Sequence, residues 1–284
     1  MISIVVPAHN ESAVIGRTLS QWIAASDEID VVVVCNGCTD DTAKVARGFG
    51  PTVRVVETGE ASKTHALNIG DRISGGFPRI YVDADIVIGI DAIRALARRL
   101  ENGDVLVAAP TADIDLTGCP WPVRKYYEIR ARLPSSREGI GGSGVYALSE
   151  AGRMRFGKFP DITADDTYVR LQFKPAERQT LRDARSTLFP PRTLQQLIAV
   201  RGRVHAGTSE LARLFPELSL NRGRSNNRTL ISLFKELRLW PALLIYCWVN
   251  AAARYKAIRN FHRGSRSWQR DETSRAALSA ESLE

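Results

Sequence analysis

Along the first hundred residues, short apolar runs alternate with stretches whose apolar positions recur at helical spacing. "ISIVV" (2–6) precedes a pattern that predicts a helix from about Glu11 to Ala25, and "DVVVVC" (30–35) precedes one from about Thr39 to Gly48. "TVRVV" (52–56) leads into "SKTHALNIGDRI", "RIYVDADI" (79–86) into "IDAIRALARRL", and "DVLVAAP" (104–110) reads as the next strand. Val- and Ile-rich runs with no polar face predict strands covered on both sides. Their alternation with helices predicts a parallel, doubly wound α/β sheet. After about residue 115 the order is irregular, with a helix near Trp121–Arg132, a strand "GVYAL" (144–148) and a helix near Asp165–Phe173. A strand "STLF" (186–189) and a long helical pattern from Thr193 follow, then an Asn/Arg-rich loop "SLNRGRSNNR" and an apolar, basic tail.

A chain of 284 residues, 44% hydrophobic, can bury a sizeable core. The first residues run straight into a strand without a basic lead or a small-residue cleavage site, so a signal peptide is not expected. Four cysteines are too few for a disulfide framework in a chain this long, and a reducing cytoplasm is the expected compartment. Charge is unevenly spread. Residues 192–284 hold 16 Lys/Arg against 7 Asp/Glu, a net +9, while residues 1–191 carry 23 against 24, a net −1. A pI near 9.6 suits either nucleic acid or an anionic lipid surface, and no nucleic-acid motif accompanies it.

Ligands of open parallel sheets bind beyond the carboxyl ends of the strands. The first strand ends in Pro7-Ala8-His9-Asn10-Glu11, the second in Cys35-Asn36-Gly37-Cys38, the fourth in Asp83-Ala84-Asp85. Asp83 and Asp85 are two apart on extended backbone, so both carboxylates project to one side and repel unless a cation lies between them. Hard oxygen donors with open positions suit Mg2+ or Mn2+ holding a diphosphate. Taken alone, "DAD" is a weak signal, and a solvated strand end capping the next helix is the favoured reading; beside the other two turns it becomes much stronger.

"VVPAHNE", "VVCNGCTDDT", "ASKTHALNIG" and "YVDAD" together resemble the motifs of family 2 glycosyltransferases of the GT-A fold, in their order and spacing, over about residues 1–210. The resemblance implies that Pro7, Ala8, His9, Asn10 and Glu11 line a nucleotide pocket. It puts Asn36 where the family commonly has an acidic residue reading the base or ribose, and Lys63 toward the nucleotide. Asp83 and Asp85 match the family's metal-binding D-x-D, with Asp85 as direct ligand. Cys35 and Cys38 then read as incidental, the second standing where the family more often has Ser. A zinc site would need two further ligands nearby, and Cys119 and Cys247 are distant. "GIGGSG", with Gly139, Gly141 and Gly144, fits a dinucleotide fingerprint in letters only, because it runs into a strand rather than a helix. The resemblance places it beside donor sugar and acceptor.

"ADDTYVRLQF" (164–173) resembles the family's acidic segment. Asp165 falls at its Glu and Asp166 at the Asp that serves as base in inverting members; Asp161 is the less favoured candidate. Two carboxylates in a first helical turn also suit the helix dipole with no catalytic role. "QQLIAVRGRVHAG" (195–207) lies where processive synthases carry Gln-x-x-Arg-Trp, and the absence of that Trp argues against a polymerising enzyme. Arg201 and Arg203 suit either diphosphate contacts or a solvated helix end. His205 suits a metal or an exposed loop position, the latter favoured.

Residues 222–270 hold 11 Lys/Arg and a single acid, Glu236, around the apolar run "LWPALLIYCWVNAAA" (239–253). At 15 residues that run is shorter than the roughly 20 a membrane-crossing helix requires. It suits a helix lying in the headgroup region, anchored by Trp240 and Trp248, or one packed on the catalytic domain or a dimer partner. The expectation is a catalytic GT-A domain over 1–214 with a basic helical extension over 215–284, at the cytoplasmic face of a membrane. Its reaction is metal-dependent, inverting transfer of one sugar from a nucleotide sugar, UDP-sugar favoured, to a glycan or lipid-linked acceptor, without nucleic acid. Two alternatives stand beside it. A sugar-phosphate nucleotidyltransferase would carry a Gly-rich basic loop after the first strand, which "PAHNES" is not. A non-catalytic membrane- or nucleic-acid-binding protein would have no need of Asp83, Asp85 and Asp166 together.

Overall fold

Ile4, Val6 and Ala8 pack against Ile15, Leu19 and Trp22, while Val5, between them in sequence, joins Leu67 on the opposite side. Period-two alternation on a strand covered by helices on both faces requires an uninterrupted apolar run, and "ISIVV" is one. The computed structural model describes residues 1–262 apart from 26, 138, 139 and 224. Its first half runs β1 (Ile2–Ala8), α1 (Ile15–Ser20), β2 (Ile29–Asn36), α2 (Thr42–Arg47), β3 (Val53–Thr58), α3 (Lys63–Ile73), β4 (Arg79–Val82), β5 (Val87–Ile88), α4 (Ile90–Glu101) and β6 (Val107–Ile114). Its second half runs α5 (Trp121–Arg130), α6 (Pro134–Arg137), β7 (Val145–Leu148), α7 (Glu150–Arg153), α8 (Asp165–Leu171), β8 (Arg178–Leu188), α9 (Leu194–Leu214), α10 (Asn227–Leu233) and α11 (Trp240–His262).

Among the described residues the strands form one sheet in the order β3-β2-β1-β4-β7-β6-β8-β5. The β3-β2-β1-β4 half is parallel throughout. From β4 onward it is mixed: β7 runs antiparallel to both β4 and β6, β8 parallel to β6, and β5 antiparallel to β8. The sheet is thus the expected GT-A arrangement, parallel where the nucleotide-binding turns emerge and mixed beyond. Pro110 sits where the β6–β8 register shifts, as expected of a residue that cannot donate to the ladder. α3 approaches β1 so closely that a Cβ on Gly70 would stand 2.4 Å from Val5 Cγ1. Only glycine fits there.

Two boundaries differ from expectation for physical reasons. The first helix begins at Ile15 rather than Glu11, because the Glu11 and Ser12 amides donate to Thr42 Oγ1 and Asp40 Oδ2 (2.7 and 3.1 Å) instead of starting a helix. β8 reaches back to Arg178, since "RQTLRDARS" is polar on an exposed face and hides its strand character from periodicity. The Asn/Arg-rich stretch after Phe215 contains a 3-10 turn at Pro216–Asn221 and then α10. α11 packs on α5 and α9: Val249, Leu197, Val123 and Tyr126 share one buried cluster, and Tyr246 stacks on Tyr126 with ring centroids 5.2 Å apart. No helix among the described residues is long and apolar enough to cross a membrane.

Candidate active site

The ends of β1 and β2 are tied into one rim. His9 Nδ1 lies 2.6 Å from the Asn36 carbonyl oxygen, so this nitrogen carries the proton and donates. Asn10 adopts φ +53°, left-handed backbone that Asn tolerates, and its Oδ1 accepts from the Thr39 amide at 2.7 Å. Gly37, at φ +57°, crosses so near Ala61 that a Cβ would come within 2.8 Å of Ala61 Cβ. Asn36 is 1% exposed and its Nδ2 donates to the Ala8 carbonyl at 2.8 Å, so its side chain braces the rim and presents no surface to a ligand. Cys38 stays half-buried, receiving the Asn10 amide at 3.4 Å. A hydrogen bond from Cys35, helped by the Asn10 amide and opposed by burial, draws its thiol pKa down to about 6, while Cys35 is driven up. All four cysteines are free.

The second rim centres on Lys63. Ser62 caps α3, its Oγ accepting from the His65 amide at 3.2 Å, which sets Lys63 in the first turn. Lys63 Nζ lies 2.8 Å from Asp83 Oδ1, at the end of β4, and 3.2 Å from Asp165 Oδ2, at the start of α8. The Asp165 contact is an ion pair without hydrogen-bond alignment, and that oxygen is otherwise shut from water. Burial, the negative charges of Asp166 and Asp83, and only partial relief from Lys63 raise Asp165 to about 6. Burial opposes the Lys63 charge, yet Asp165 and Asp83 more than offset it and hold its pKa above the usual value. Asp166 accepts from the Thr167 amide at 2.5 Å. α9 fixes this turn: Glu210 Oε2 accepts from the Thr163 amide at 3.1 Å, and a Cβ on Gly207 would press Thr163 Cβ at 3.1 Å.

Pro7 from the first rim and Lys63, Asp83, Asp165 and Asp166 from the second line a cleft together with the glycine wall 141–144. The wall needs its glycines: Gly141, Gly142 and Gly144 have φ of +94°, +111° and +69°, and a Cβ on Gly144 would strike Ile86 Cγ1 at 2.5 Å. Gly139 lies outside the described residues. The cleft floor went unread in the sequence. Tyr146, in β7, stacks on Tyr81 at 4.8 Å, and its buried hydroxyl has no partner. Burial, reinforced by the charge of Asp165, keeps that phenol protonated. Beneath it Tyr81 donates to Asp71 Oδ1 at 2.7 Å, and Asp71 also binds Arg79 and, at 2.6 Å, Arg153. Alternation in "RIYV" and "GVYAL" marks both tyrosines as inward-facing, which is the signal that locates them.

Asp83 and the pair Asp165 and Asp166, far apart in sequence, are brought together at one cleft. Asp85 is half-buried and does not line the cleft itself; its backbone carbonyl accepts from Arg17 at 3.3 Å. His205 is placed elsewhere, on the side of α9 that meets α11, with Nε2 3.4 Å from Asn250 Oδ1. Burial and the nearby Arg201 charge lower its pKa. Arg201, whose Nε is buried without a hydrogen bond, and Arg203 are half-buried on the same helix, and neither lines the cleft. Among the described residues no group of three or more His, Cys, Asp or Glu side chains is arranged to hold a metal. Of the expected pair, Asp83 lines the cleft and offers a hard oxygen donor to a divalent cation completed by ligand oxygens, while Asp85, two residues on, does not line it.

Residues 3–149, just over half of the chain, match the family described as Glycosyl transferase family 2, and the chain belongs to that family. A 105-residue stretch is 34% identical to the 4,4'-diaponeurosporenoate glycosyltransferase of Staphylococcus aureus (strain bovine RF122 / ET3-1), covering 35% of this chain and 28% of that one. The chain therefore spans less than a third of that relative's length. Among solved structures, the mannosyltransferase PcManGT of Pyrobaculum calidifontis, in complex with GDP-Man and Mn2+, superposes with TM-score 0.60 at 21% identity, covering 99% of this chain and 79% of that one. Glucosyl-3-phosphoglycerate synthase of Mycobacterium tuberculosis, with Mn2+ and UDP-glucose, gives 0.54 at 21% identity, covering 75% and 78%. At such identity these structures show the shared fold.

Proposed function

We propose that the protein moves one sugar from a nucleotide sugar, UDP-sugar favoured, to a hydroxyl of a glycan or lipid-linked acceptor, with inversion. The observation that carries this is the Lys63-centred cluster, three carboxylates around one ammonium at the cleft edge. Such an excess of negative charge is unfavourable until a cation offsets it, and the cation can then hold a diphosphate. Asp83 and Asp85 would hold Mn2+ or Mg2+, which supplies positive charge to the departing diphosphate. The rim of Pro7 to Glu11 with the β2 turn would seat the nucleoside. Asp166 takes the proton as the acceptor oxygen bonds to the anomeric carbon and the carbon–diphosphate bond breaks. A base so placed contributes about 10²–10⁴-fold. Asp165, held by Lys63, positions α8 and keeps the site's charge balanced. Residues 1–214 carry this chemistry, and the described part of 215–284 packs against them.

The solved neighbours bind GDP-Man and UDP-Glc with Mn2+, which supports a metal-bound nucleotide sugar and leaves the base to experiment. Calorimetric titration of UDP and GDP, with and without Mn2+, on the wild type and on Asp83→Ala and Asp85→Ala, tests the donor site. Metal-dependent binding of one nucleotide, lost in both variants, is the expected result. No nucleotide binding under any condition would sink the proposal. Asp166→Asn should abolish transfer while nucleotide affinity stays within about threefold; loss of both would make Asp166 structural.

A further inference from the structure

α11 is apolar on two sides. Ala242, Leu243, Val249 and Ala253 are buried toward α5 and α9. The outward positions recur at 240, 244, 247, 248 and 251, one face of a helix, where a water-facing stripe should be polar. They are Trp240, Leu244, Cys247, Trp248 and Ala251, and the first two tryptophan and leucine positions together with Trp248 each expose half or more of their surface. Exposed Phe234 and Leu237 extend the stripe, with Trp240 Nε1 donating to the Phe234 carbonyl at 3.0 Å. Isolated exposed apolar residues are ordinary, but an unbroken strip of them with two tryptophans marks a contact surface.

Charge identifies the occupant. Arg238, Arg254 and Arg259 are exposed around the stripe, and α11 contains no acidic residue. The single acid between 222 and 259, Glu236, pairs with Arg238 at 2.9 Å. A second copy of the chain meeting this face about a two-fold axis would set arginines against arginines. An anionic bilayer meets both features at once, its headgroups facing the cations and its acyl boundary taking the tryptophans. α10 is also tied to the segment that precedes the glycine wall in the chain. Asn226, at the start of α10, accepts from the Ser135 amide at 3.1 Å and donates to Ser135 Oγ at 2.8 Å, and Ser135 lies in α6, shortly before the glycine wall.

We infer that α11 and the turn before it dock the protein flat on an anionic membrane surface through Leu237, Trp240, Leu244 and Trp248. Docking there delivers a membrane-borne acceptor to the cleft, a step that rests on the glycosyltransferase reading above. α11 lies parallel to the surface, since its inner face is already occupied.

The test is co-sedimentation of the full chain with vesicles of phosphatidylglycerol and phosphatidylcholine, beside vesicles of phosphatidylcholine alone. Tryptophan quenching by brominated acyl chains is read in parallel. Expected are binding to the anionic vesicles only, weakening at high salt, and quenching. Leu244→Glu/Trp248→Glu should lower the partition coefficient by about tenfold or more, and Arg254→Gln/Arg259→Gln should reduce its dependence on phosphatidylglycerol. Because all four positions are exposed, thermal midpoints should stay near the wild type, and UDP titration of the same variants should be unchanged. Failure to bind vesicles, binding indifferent to both variants, or a solution dimer that Leu244→Glu/Trp248→Glu dissociates would overturn the inference. Vesicle binding without nucleotide binding would instead remove the catalytic reading and leave the docking surface standing.

Discussion

Two charged clusters sit one above the other in this fold, and they are built on opposite principles. Around Asp71, Arg79 and Arg153 supply two cations to one carboxylate, Tyr81 adds a hydroxyl, and both guanidinium groups stack on rings, Arg79 over Phe77 and Arg153 over Phe156 (4.4 and 4.5 Å). Every carboxylate oxygen there has a partner. Around Lys63 the ratio is reversed: Asp83 and Asp165 share one ammonium and Asp166 lines the same cleft, with the glycine wall beside them. A buried carboxylate with both oxygens paired stabilises one conformation and has nothing left to offer a ligand. An unbalanced one at a cleft edge costs stability and is retained where a bound cation or substrate completes it. The difference separates scaffold from site without reference to any relative.

The sharpest way to break this comparison is to delete one acid from each cluster. Asp71→Ala strands two buried arginines and should cost about 3–5 kcal/mol, read as a fall in the urea midpoint at unchanged slope. Asp83→Ala removes a half-exposed partner from an over-negative group, so its stability should move by no more than about 1 kcal/mol. Equal losses in the two variants would erase the distinction.

Acid sharpens the same contrast. Burial raises the Asp71 pKa, but hydrogen bonds from Arg153, Tyr81 and Arg79 outweigh it and hold the group below the usual carboxylate value. A depressed carboxylate adds stability that is present above its unfolded pKa, about 4, and is lost as pH falls through the lower folded value. Urea midpoints measured from pH 6 down to pH 2 should therefore decline in the wild type and decline less steeply in Asp71→Asn. Parallel slopes would place the acid sensitivity elsewhere.

The smallest expected effect concerns the nucleotide rim. With its thiol near 6, Cys38 is largely thiolate at neutral pH, so iodoacetamide should modify it with a rate midpoint near pH 6. Mass-spectrometric mapping separates its modification from that of the exposed Cys247. Bound nucleotide should slow the reaction at Cys38 alone. A Cys38 midpoint above 8 would mean that the Cys35 and Asn10 hydrogen bonds do not persist in solution.

Much of this arrangement is legible in the chain. Val and Ile runs with no polar face announce covered strands, and Ser62 before Lys63 announces a helix start. Local pattern suffices in such cases because the causes are local: pleat, cap chemistry and backbone sterics. Asp83 and Asp85, expected on extended backbone, lie instead in a turn after β4, where the Ile86 amide donates to the Asp83 carbonyl at 3.1 Å. β8 was largely hidden because its exposed residues carry no apolar period. The inward turn of Asn36 was hidden because its partner, the Ala8 carbonyl, belongs to another strand.

What tertiary structure alone decided is what meets what. It set Lys63 between Asp83 and Asp165, placed Tyr146 and the Asp71 network under the cleft, and carried His205 to Asn250 on α11. It also resolved the apolar tail into a helix with one face buried on α5 and α9 and the other left to water. Composition and spacing determine how strongly a segment seeks burial and which residues share its face. Which of two apolar faces is covered depends on the partners that long-range packing brings to it.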